Sequence, residues 1–163
     1  MSGTAEDGGP ARAEGPTWRL GAAPAPARWL GLAGLLPFVA LAVAAHLAPA
    51  PWGGAARFSL AVYGVAILSF MGGCRWGFAA AGFDGEGPSW WRLAVSTVPA
   101  LLGWAALTVG TTMALWASTL GLVALFAADV SLTRAGGAPA WWPALRLPLT
   151  VGAATSLLIG AAA

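Results

Sequence analysis

The stretch FSLAVYGVAILSFMGGCRWG, residues Phe58–Gly77, decides the fold. From Phe58 to Cys74 it carries no charge. At about 1.5 Å per residue that run makes a helix of about 25 Å, nearly the thickness of a hydrocarbon core. Arg75 then arrives among glycines, at the edge of the apolar run and not at its centre. The stretch therefore reads as a membrane-spanning helix that ends near its arginine.

Composition extends this reading to the whole chain. Of the 163 residues, 58% are hydrophobic and only 9% are charged. A soluble domain carries about 25% charged residues. A chain so poor in polar groups, with a mean hydropathy of +0.74, cannot cover itself with polar surface. A net charge of +2 without a basic tract argues against a nucleic-acid partner. Cys74 and His46 are the single cysteine and histidine, too few for a zinc site unless carboxylates help. HExxH, GxSxG, Walker and helix-opening GxGxxG patterns are absent from the sequence. No catalytic residue, metal or cofactor is therefore expected, and the protein is read as non-enzymatic.

Residues 1–28 are rich in Gly, Pro, Ala and scattered charge, and are expected to be a disordered polar tail. A five-helix transmembrane domain over 29–163 is expected to follow. Its spans are placed at about 29–47, 58–81, 93–110, 111–131 and 147–162. Turn-forming stretches at 48–54, 83–89 and 134–143 separate them, and the short uncharged TVGTTM at 108–113 predicts a tight hairpin. Pro37, Pro99 and Pro148 fall inside spans and read as tolerated kinks. The alternative is that the carbonyls they free line a substrate site.

Arginine sets the expected orientation. Arg12, Arg19, Arg28, Arg92, Arg134 and Arg146 fall on the N-terminal side of the bundle, against Arg57 alone on the other. By the positive-inside rule the N-terminus is cytoplasmic and the C-terminus lies on the opposite side. The expected location is a bacterial cytoplasmic membrane, as a multi-pass protein. Trp29, Trp90, Trp91, Trp141 and Trp142 fall near the arginine-rich side and Trp52 near the other, positions suited to an interfacial belt.

Arg75 and Asp129 are expected at similar depth, one at the end of the second span and one at the end of the fourth. They could simply mark helix ends, with Arg75 reaching the headgroups along its aliphatic stem. Alternatively they pair and form a polar pocket. Arg92, Arg134 and Arg146 share that side and extend the polar cluster, which could also hold anionic lipid. Ser69, Gly73 and Gly77 recur every four residues and predict a small-residue stripe for close helix packing, with Arg75 on the opposite face. His46 reads as interfacial. Cys74 beside Arg75 could be a thiolate, but no base is in view.

LGLAGLLPF (30–38), YGVAILSFMGGCRWG (63–77), STVPALLGWAAL (96–107) and PAWWPALRLPLT (139–150) occur in this order. Together they resemble a family named only as a domain of unknown function, to which the animal transmembrane protein 69 belongs. The resemblance covers about residues 29–160 and implies a five-helix membrane architecture, without an activity or cofactor. It adds emphasis to Gly72, Gly73, Arg75, Trp76, Gly77, Asp129 and Arg146. The functional expectation is a scaffold or assembly factor that contacts the lipid bilayer, other membrane proteins or anionic lipid through the polar cluster. The rival is a small carrier or ligand-binding protein with an Arg75–Asp129 pocket.

Overall fold

A computed structural model describes residues 16–83, 85 and 87–163. Among these the chain is all helical. A short turn at Leu20–Ala22 leads into α1 (Ala25–Ala33), α2 (Leu35–Leu47), α3 (Trp52–Ala80), α4 (Trp90–Val109), α5 (Thr111–Arg134) and α6 (Trp142–Ala161). Helices α1 and α2 form one span, so five segments are long and apolar enough to cross a membrane.

The joints follow from local chemistry. Pro37 has no N–H and its ring crowds the carbonyl four residues back, that of Ala33, which is the last residue of α1. The Tyr63 hydroxyl of α3 donates to the carbonyl of Gly34 at this break, 3.0 Å away. Between α4 and α5 a single residue suffices. Gly110 has φ of 151°, which L side chains rarely adopt.

The bundle is arranged around α3, which packs against α2, α4, α5 and α6. Phe38, Leu60, Leu68, Leu115, Leu122 and Leu157 form its nearly solvent-free centre. At one end Arg57 Nε donates to the carbonyl of Gly160 (2.9 Å) and its Nη2 to Thr112 Oγ1 (3.0 Å). His46 Nε2 meets the carbonyl of Ile159 at 2.8 Å, also at this end. The other end, where α3 and α5 finish and α4 and α6 begin, holds the remaining described arginines.

Several expectations need correction. The second span begins at Trp52, not 58, and the third at Trp90. The last helix begins at Trp142, so Arg146 lies inside α6 and not in a loop. Pro143 in the first turn of α6 leaves no helix hydrogen bond unmade, which is why "WWP" starts a helix instead of interrupting one. Of the tail, residues 1–15 lie outside the described residues. The described part is ordered: the Thr17 N–H donates to the carbonyl of Ala140 at 2.8 Å. Trp142 is not a belt residue; it is 8% exposed and meets Phe78 edge-on at 5.2 Å.

The small-residue stripe is also displaced. A Cβ on Gly73 or Gly77 would meet nothing within 4 Å. One on Gly72 would lie 2.5 Å from the Ser96 carbonyl oxygen, so it is Gly72 that admits α4. Ser69 bonds its own helix, at the Val65 carbonyl. The packed face of α3 runs through Leu60, Gly64, Leu68 and Gly72. Arg75 is three residues beyond Gly72, hence on that face and not opposite it.

Candidate functional site

Three helices converge on one carboxylate. Arg75 of α3 lies five residues before the end of its helix, and Asp129 of α5 five before the end of its own. Arg146 lies four residues into α6. At about 1.5 Å per residue, all three sit roughly 6–8 Å inside the same end of the bundle. Asp129 is the only acidic residue within the six helices.

Arg75 Nη1 donates to Asp129 Oδ1 at 2.8 Å. Arg146 Nε donates to the other oxygen, Oδ2, at 3.1 Å. The sequence raised the Arg75–Asp129 pair as a question, and the distance answers it: the two are in contact. Arg146 is the member that a loop assignment hid. Asp129 is 1% exposed and Arg146 2%. Arg146 Nη1 further donates to the sulfur of Met71, one turn before Arg75 on α3, at 2.6 Å. Thr133 returns its hydroxyl to the backbone carbonyl of Asp129 at 2.9 Å and stiffens that turn.

The formal charges do not cancel. Two guanidiniums share one carboxylate, and both carboxylate oxygens are occupied by them. Arg146 Nη2 is buried and has no hydrogen-bond partner among the described residues. A charge at this depth is costly unless paired, so the surplus positive charge is chemically the most conspicuous feature of the bundle.

Two clefts flank the triad. One, of about 360 Å³, lies between α3, α4 and α5 and is lined by Arg75, Phe78, Trp91, Arg92 and Leu132. The other, of about 370 Å³, lies between the first span, α3 and α6 and has Arg146 in its wall. Arg92 is thus a neighbour of Arg75 across the first cleft. Arg134 is exposed at the end of α5 and has no part in the triad. Cys74 is half-buried and also lines the second cleft. Met71, Trp142 and Thr150 were missed as site residues. Their signal is visible only once α6 is known to begin at Trp142: positions 142, 146 and 150 then fall on one helical face.

A family described as "Protein of unknown function (DUF3429)" matches residues 23–162. The chain belongs to this family. It is 42% identical over 138 residues to transmembrane protein 69 of Xenopus tropicalis, covering 83% of this chain and 53% of that protein. It is 31% identical over 140 residues to transmembrane protein 69 of Mus musculus, covering 83% and 55%. The chain thus spans about half the length of these curated relatives. No solved structure matches it. The five spans, with relatives named as transmembrane proteins, make this a multi-pass membrane protein.

Proposed function

We propose that the protein is a non-enzymatic ligand-binding membrane protein whose binding centre is the Arg75–Asp129–Arg146 triad. One observation carries this reading: a buried cluster with one more positive than negative charge, set between two clefts. Stability does not explain such a cluster, because well-packed apolar residues of similar volume commonly replace buried ion pairs at no loss. A surplus cation poised beside a cleft does suit recognition of an anionic or acceptor group.

The surrounding assignments belong to the same proposal. We place the protein in a bacterial cytoplasmic membrane, with the N-terminus and the arginine-rich end facing the cytoplasm. Support comes from Arg19, Arg28, Arg92 and Arg134, all toward that end, against Arg57 toward the other. A scaffold or assembly role is the second reading. It draws support from Trp90 and Trp91, which are 90% and 75% exposed beside Arg92 and could meet another membrane protein or lipid headgroups.

The test is native mass spectrometry of protein extracted in mild detergent. Wild type is compared with the triple variant Arg75→Met, Asp129→Asn, Arg146→Met, which nearly keeps the side-chain volumes and removes all three charges. The ligand-binding reading expects a low-mass species on wild type that the folded triple variant lacks. A stoichiometric protein partner on both forms, with no small species on either, would favour the scaffold instead.

A further inference from the structure

The second cleft has a more specific design than its apolar walls suggest. One face of α6 presents Trp142, Arg146 and Thr150 to it, spaced by four residues. Each of the three keeps a buried polar atom with no hydrogen-bond partner among the described residues: Trp142 Nε1, Arg146 Nη2 and Thr150 Oγ1. The three residues are 8%, 2% and 5% exposed. Buried polar groups without partners are uncommon, and three along one stripe of one helix, rising about 12 Å from Trp142 to Thr150, fit a ligand that brings acceptors to that stripe. Trp N–H and the guanidinium only donate, and the hydroxyl can donate. The head they would take is therefore rich in acceptors.

Charge narrows the head further. Both oxygens of Asp129 already serve arginines, so nothing within the triad balances the second guanidinium. A single negative charge on the ligand would bring the cluster to neutrality. The rest of the lining is apolar, including Leu35, Phe38, Ile67, Leu149 and Ala153. From Trp142 to Ala153 the cleft follows α6 for about 16 Å at 1.5 Å per residue, from the arginine-rich end toward the middle of the bundle. Leu30 and Phe70, which also line it, are 75% and 61% exposed, so the cleft opens sideways toward lipid tails. A space of about 370 Å³ is at the small end of ligand pockets and suits one chain better than two.

We propose that this cleft binds a single-chain lipid carboxylate of the fatty-acid class, with its head among Arg146, Trp142 and Thr150 and its tail passing Phe38 and Ala153 and leaving through the side of the cleft that opens to lipid. The proposal rests on the ligand-binding reading above and specifies its ligand. It involves no covalent step.

The probe is tritiated palmitate, bound to the full-length detergent-solubilised protein on scintillation beads. Saturable binding near one palmitate per chain is expected. Hexadecanol, which has the same tail and no charge, should compete at least tenfold less well. Thr150→Val removes one donor at nearly constant volume and should weaken palmitate about tenfold, the usual scale for a hydrogen bond to a charged group. Trp142→Phe keeps the ring edge against Phe78 and should do the same. The melting temperature of each variant establishes that it is folded. The proposal is overturned by non-saturable palmitate, by equal competition from hexadecanol, or by folded Thr150→Val and Trp142→Phe variants that bind as wild type. Equal competition from dioleoylphosphatidylglycerol would overturn it in favour of a phosphate head. Displacement by a peptide of residues 1–15, which carries Glu6, Asp7 and Glu14, would assign the cleft to the chain's own N-terminal segment. A different small anion found on the wild-type protein by mass spectrometry would remove the fatty acid and leave the ligand-binding reading standing.

Discussion

Asp129→Asn is the sharpest single perturbation. It keeps the side-chain size and removes the one negative charge that Arg75 and Arg146 share at 2.8 and 3.1 Å. Two guanidiniums are then left facing a neutral amide. At an effective dielectric of about 20 and a separation of roughly 6–8 Å, their bare repulsion is about 2–3 kcal/mol. Stranding buried charges adds to that, and removal of one partner from a buried pair costs about 3–5 kcal/mol. For a chain of this size such a loss lowers the melting temperature by on the order of 10 °C. The assay is fluorescence-detected gel filtration of heated samples in mild detergent, with Arg134→Gln as the exposed control that stays within about 2 °C by the modest worth of surface charges. An Asp129→Asn protein that melts within about 2 °C of wild type would refute the idea that the carboxylate holds the two arginines. The charge swap Arg75→Asp with Asp129→Arg adds a second check. A simple pair would be rescued by it. In a triad the new arginine at position 129 faces Arg146, so rescue is not expected, and full rescue would remove Arg146 from the cluster.

Other outcomes follow from particular contacts. Gly72→Ala pushes a methyl to 2.5 Å from the Ser96 carbonyl oxygen and should cost about 1–3 kcal/mol in thermal melts, whereas Gly73→Ala meets nothing within 4 Å and should be neutral or gain about 0.5–1 kcal/mol. Arg57→Gln removes the donors to the Gly160 carbonyl and to Thr112, and amide exchange should speed up across the last turn of α6 while the triad end is unchanged. The positive-inside orientation expects an N-terminal tag to be shielded from outside reagents in intact cells and a C-terminal tag to be reached by them; the reverse result would invert the assignment of the arginine-rich end.

The spans were legible because hydrocarbon thickness imposes long apolar runs, and Phe58–Cys74 is one that no soluble core requires. The start of the last span was misjudged for a reason internal to that logic. If arginine is taken to mark the outside of a span, Arg146 forces the helix to begin after it. The rule fails where a charge has a buried partner, and the partner is seventeen positions away on α5, beyond any local pattern. The glycine error is one of helical phase. Gly72 and Gly73 are adjacent but about 100° apart around α3, and only the neighbour chosen by the fold, Ser96 beside Pro99 on α4, decides which of them is needed. A four-residue repeat through Ser69, Gly73 and Gly77 is real in the sequence and faces no close neighbour. Correcting that phase moved Arg75 from the outer face to the packed one.

The same correction changes what the arginines mean. An arginine at a span's end that reaches the headgroups asks for no explanation beyond its own flexible stem. Arg75 partly fits that description, with 18% of its side chain exposed. Arg146 does not, because its side chain is 3% exposed and its Nε is committed to Asp129. One arginine would have sufficed to neutralise Asp129, and Arg75 at 2.8 Å already does so. The second adds desolvation cost without a second carboxylate among the described residues to offset it, and it brings a guanidinium nitrogen with no partner among them to the wall of an apolar cleft. Neither packing nor charge balance among the described residues accounts for that nitrogen, and the proposed ligand is the acceptor that would.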